Sequence, residues 1–151
     1  MAKSIFEETD YQAIRSRIEN LTVNNAQQWG KMDIAQMLAH CSVPIEQGIG
    51  KAPFIDESNL FSKTVIKWVV LRMIKTGSMN RNSPTMKSFV VADSRAFDNE
   101  KQRLLVNIKD FYEKGSASEI GRHPGFGMMT NEQWGGLVHL HLDHHLKQFS
   151  A

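Results

Sequence analysis

An all-α fold is expected for this chain, on three grounds. Apolar residues recur at spacings of three and four through most of its 151 residues, the period of an amphipathic helix. Helix-starting and helix-stopping residues flank those stretches. The best extended candidate, residues 88–92 (Ser-Phe-Val-Val-Ala), is too short to found a sheet. Four main helices, an accessory helix and irregular connecting loops are expected to form a bundle.

A first helix is expected over residues 7–20, where Tyr11, Ile14 and Ile18 share a face. The polar stretch 22–28 breaks it. Asp33 suits the N-cap of a second helix over 34–50, because its carboxylate can accept from the free amides of the first turn. Met37, Leu38, Cys41 and Ile45 give that helix an apolar side. A third, mostly apolar helix runs over 58–75 and stops at Gly77, where a left-handed C-cap favours glycine. Residues 78–95 are expected to be mostly irregular. A fourth helix covers 99–113, with Leu104, Leu105, Ile108 and Phe111 on one side, and ends at Gly115. The loop GSASEIGRHPGFGMM follows. Thr130, with Gln133 three residues on, forms a capping-box pattern and opens the last helix, which runs to about residue 149.

Composition narrows the function. Eighteen Lys and Arg against sixteen Asp and Glu leave a formal net charge of +2, with both signs interspersed. Neither nucleic acid nor a membrane surface gains electrostatic support as a partner. A single cysteine, Cys41, excludes an intramolecular disulfide and a four-thiolate zinc site. The opening MAKSIFEETDYQ has no apolar core of signal-peptide length, and the most hydrophobic run, residues 65–74, is interrupted by Lys67 and Arg72. A single cytoplasmic domain over residues 1–151 is expected.

Four of the six histidines fall within seven residues: His139, His141, His144 and His145. At about 100° per residue, His141 and His145 sit about 40° apart in the middle of the apolar stripe that also carries Trp134 and Leu137. His144 lies at the edge of that stripe, while His139 and Asp143 point outward, roughly 160° away. An i, i+4 pair places two imidazoles side by side, close enough to share a metal ion. Burying both without partners would be costly, since each ring nitrogen needs one. An ion satisfies one nitrogen on each ring, and Gln148 on the same stripe can hold the other. The same pair can also be read as core histidines bonded to backbone or water. His40 on the second helix is the best third ligand. Pro44, four residues on, cannot donate to the His40 carbonyl, so a kink is expected to leave that carbonyl beside the imidazole.

Other chemistries lack their residues. The run HLDHH has Leu142 where a zincin protease needs its glutamate base, and Asp143 faces away. No GxSxG, P-loop or GxGxxG occurs, and there are no paired Glu-x-x-His motifs for a di-iron centre.

The segment WGKMDIAQMLAHC around His40, together with HLDHHLKQF, resembles the DinB-like superfamily of metal-binding four-helix bundles. HPGFGMMTNEQWGGLVHLHLDHHLKQF is most similar to its branch known as domain of unknown function fifteen-sixty-nine. The resemblance covers nearly the whole chain. It implies that His40, His141 and His145 hold a divalent ion, zinc or nickel. It further implies a metal-dependent transferase using a low-molecular-weight thiol, or a hydrolase, acting on a small-molecule substrate. The alternative is a non-catalytic bundle whose histidines are structural and whose surface binds a partner, such as a second copy in a homodimer.

The remaining candidates are read more plainly. Cys41 is expected to pack as a small hydrophobe, and Trp29, Trp68 and Trp134 as core anchors, with Trp134 also able to wall the pocket. His123-Pro124 reads as an ordered turn. Arg81, Arg95 and Arg122 sit in loops where they can anchor a substrate carboxylate.

Overall fold

The computed structural model describes residues 2–151. It is mostly helical, with 58% of residues in helix and one small two-stranded sheet. The five α-helices are α1 (Glu8–Glu19), α2 (Ile34–Ile49), α3 (Lys67–Thr76), α4 (Phe97–Ala117) and α5 (Asn131–Gln148). A π-helical turn, Ser62–Ile66, leads into α3, and a single 3₁₀ turn, Lys87–Phe89, interrupts the long connection to α4.

Local chemistry explains the boundaries. Asp33 caps α2 as expected: its carboxylate accepts from the Gln36 amide at 2.8 Å, while the Gln36 side chain accepts from the Asp33 amide at 2.9 Å. Thr130 and Gln133 make the same reciprocal pair at the start of α5. Gly77 closes α3 in the left-handed conformation, φ 66°.

Inward faces of α1, α2, α4 and α5 share one core, in which Ile14, Leu38, Ile108, Phe111 and Trp134 are essentially inaccessible. Full burial of each such side chain is worth about 1.5–3 kcal/mol. Helix α2 packs along α4, and α1 and α2 both pack on α5. The α2–α4 contact also carries a polar tie, in which Arg103 donates to both Glu46 oxygens at 2.7 Å and Asn107 donates to one of them. Burial alone would raise the Glu46 pKa, but those hydrogen bonds hold it below the ordinary carboxylate value.

Several expectations are corrected. Helix α4 does not end at Gly115 but runs through it to Ala117. The Phe6 ring lies where a Cβ at Gly115 would be, so this glycine permits close approach rather than ending the helix. The loop expected before α5 contains a hairpin: β1 (Gly121–His123) pairs antiparallel with β2 (Gly127–Met129), Arg122 opposite Met128. Trp68 is no core anchor: it is 61% exposed, and Leu60 and Phe61 before it in the chain are exposed too. No helix among the described residues is long and apolar enough to cross a membrane.

Candidate metal centre

His40 is carried by α2, and His141 and His145 by adjacent turns of α5. The α2–α5 contact brings the three rings together, with centroids 4.7 to 4.8 Å apart and planes close to perpendicular. One potential ligand atom from each lies within 4.8 Å of the other two, and the three can hold a metal ion. His40 and His145 are buried, whereas His141 keeps part of its surface open to solvent.

The outer ring nitrogens decide what the inner ones present. Nδ1 of His40 lies 2.8 Å from the Phe89 carbonyl, which can only accept. The proton therefore sits on Nδ1, and Nε2 offers its lone pair. Nδ1 of His145 lies 2.7 Å from Oε1 of Gln148, whose amide nitrogen donates to the Trp29 carbonyl at 2.8 Å. That second bond fixes the amide, so its oxygen faces His145 and the His145 Nε2 lone pair is free. The Nε2 atoms of His40 and His141 are 2.9 Å apart, a distance at which two neutral rings share one proton.

Electrostatics favour neutral rings. Burial pushes the pKa of His40 below its ordinary value and that of His141 well below. Burial, reinforced by His40, pushes His145 down to about 3. Three neutral imidazoles, with the lone pairs of His40 and His145 turned inward and one proton between His40 and His141 that an ion would displace, suit a divalent cation. A tetrahedral zinc site with nitrogens at about 2.0–2.1 Å separates them by about 3.3 Å, a value the spacing of this trio brackets. The donor set therefore fits the ion the resemblance implied.

The other candidates fall into place around this centre. Gln148 holds His145 as expected. The carbonyl beside the His40 ring, however, belongs to Phe89 in the 3₁₀ turn rather than to a kinked α2, which runs helical through Pro44. No side-chain pattern could have announced a backbone oxygen 49 residues away. His144 is half-buried, 5.1 Å from His145 and 5.3 Å from Trp29, and lines a cleft without joining the trio.

His139 is not solvent-facing. It is 8% exposed, in a wall shared with Ile14, Arg17 and Ile74, because α1 and α3 cover the side of α5 opposite α2. Trp134 is wholly buried, its indole N–H donating to the Gly121 carbonyl at 2.8 Å. Cys41 is packed against Met37, and burial pushes its thiol pKa far up, which makes it inert.

These features define a mostly helical protein with a largely buried three-histidine cluster that could hold a metal ion. The family model described as "Protein of unknown function (DUF1569)" matches residues 3–151, and the chain belongs to that family. Neither a curated protein nor a solved structure matches it.

Proposed function

We propose that the chain is a single DinB-like four-helix-bundle domain binding one divalent ion, zinc or nickel, at His40, His141 and His145. On this reading it is a metal-dependent transferase acting with a low-molecular-weight thiol, or a hydrolase, on a small-molecule substrate in the cytoplasm. The pairwise packing of α1, α2, α4 and α5 supports the bundle. The observation that carries the function is the orientation of the outer nitrogens. Phe89 and Gln148 each hold a proton on Nδ1 and so turn the lone pairs of His40 and His145 inward.

When bound, such an ion leaves a coordination position open and lowers the pKa of a thiol or water placed there. The protein's own part is positional. Gln148, anchored on Trp29, stops the His145 ring from turning, and Phe89 does the same for His40. Burial keeps all three rings neutral at pH 7 and excludes bulk water from two of them. His141 is less buried than the other two residues of the trio, a feature that favours chemistry over histidines sealed in dry core.

Self-association has one surface in its favour. Leu60, Phe61, Val65 and Trp68, all within nine residues of the chain, are 48% to 80% exposed, and a contiguous exposed apolar patch marks an interface. A homodimer through this face is compatible with an enzyme.

The test is a screen of zinc- and nickel-loaded protein with thiols plus an aryl halide electrophile, and separately with activated esters. Turnover above the uncatalysed rate, lost on chelation and in the His40→Ala/His141→Ala/His145→Ala variant, is expected. Rates equal to the uncatalysed ones with every pairing would contradict the enzyme reading.

A further inference from the structure

The structure separates the three loop arginines suited to anchoring a carboxylate. Arg95 is held by Asp93 at 3.0 Å and Glu100 at 3.2 Å, and Arg122 is held by Asp56. Arg81 meets no carboxylate among the described residues. Its guanidinium instead lies over Trp29, 4.2 Å from the ring centroid. Trp29 is 5.3 Å from His144, and His144 is 5.1 Å from His145. A ladder of contacts thus leads from an exposed arginine to the histidine trio.

An open cleft of about 290 Å³ follows this ladder as far as His144, the neighbour of His145, with Trp29, Arg81, His144 and Lys147 in its wall. The one carboxylate in that wall, Asp143, is already shared between Arg17 and Lys147, each at 2.7 Å. The wall therefore carries a guanidinium with no counter-ion. The cation–π contact with Trp29 holds that group in place. Its N–H groups make no hydrogen bond among the described residues, and a guanidinium can engage a carboxylate with two parallel hydrogen bonds. Less side-chain entropy is lost on binding when the guanidinium is held in this way.

We propose that this cleft is an anion subsite, in which Arg81 seated on Trp29 binds the carboxylate of a small-molecule substrate whose other end reaches the histidine trio. The second half rests on the metal-dependent reading above. The carboxylate contact does not, and it exists with or without an ion.

The test follows the Trp29 indole N–H signal by NMR while benzoate is added to the protein, both metal-free and zinc-loaded. Trp29→Phe assigns the signal. Arg81 is exposed and makes no hydrogen bond among the described residues, so its replacement leaves the fold intact. Saturable shifts are expected in the wild type, with affinity weakened about tenfold or more in Arg81→Gln and partly kept in Arg81→Lys. Zinc content is expected to be equal in wild type and Arg81→Gln. No saturable shift in the wild type, or the same affinity in Arg81→Gln, would overturn the subsite. Failure of the metal reading looks different: neither protein retains zinc, while the benzoate response persists and still depends on Arg81.

Discussion

His123 shows what burial does to a single imidazole here. Its ring stacks on Phe126 at 4.5 Å and meets Trp134 at 4.8 Å, and its Nδ1 accepts from the Gly125 amide at 3.0 Å. Burial pushes its pKa down to about 3, against 6.5 for a free imidazole. Below pH 6.5 the unfolded chain takes up a proton that the folded ring refuses. Stability is therefore flat above pH 6.5 and falls as pH drops from 6.5 toward 3, by about 1.4 kcal/mol per pH unit for this one group. His123→Asn, whose amide oxygen can still accept from Gly125, removes the titration. Urea unfolding between about pH 5.5 and 4 is expected to show a slope shallower by about 1.4 kcal/mol per unit in the variant. An unchanged slope would contradict a neutral, buried His123. The sequence placed this residue in an ordered turn but could not show its burial, which depends on Phe126 and Trp134 closing over it.

At the scale of the helix, the sequence of α5 makes one side legible and not the other. The period of the helix selected His141, His145 and Gln148, and all three meet at the cluster. It failed for His139 because a wheel assumes one buried face, whereas α1, α2 and α3 all pack on α5. Gly135 and Gly136 were the available signal. Two adjacent glycines inside a helix cost about 1 kcal/mol each relative to alanine, and at Gly136 the missing side chain lets Ile74 of α3 come close. The hairpin is not legible in the sequence because strands of three residues are too short to show alternation. His139→Ala is accordingly expected to lower stability by about 1–3 kcal/mol by leaving a void beside Ile14 and Ile74, while metal content is unchanged. His145→Ala is expected to lose metal affinity and any chelator dependence of its melt. Thermal melts of both variants with and without chelator separate the cases. Loss of metal in His139→Ala with retention in His145→Ala would contradict the placement of the site.

For the molecule as a whole, the cluster is a product of tertiary packing. His40 and His141 are 101 positions apart in the chain, and the carbonyl that orients His40 comes from a third segment. Helix periods could nominate the rings, but only the α2–α5 contact and the turn at Lys87–Phe89 assemble them. The shared core is large enough to fold without an ion, so the metal's role is expected to be chemical rather than structural. The most direct measurement is elemental analysis of untagged protein loaded with zinc and then desalted, set beside the His40→Ala/His141→Ala/His145→Ala variant. About one ion per chain in the wild type, and none in a variant that still folds, is the expected result. Negligible metal in both, or equal metal in both, would contradict the three-histidine site.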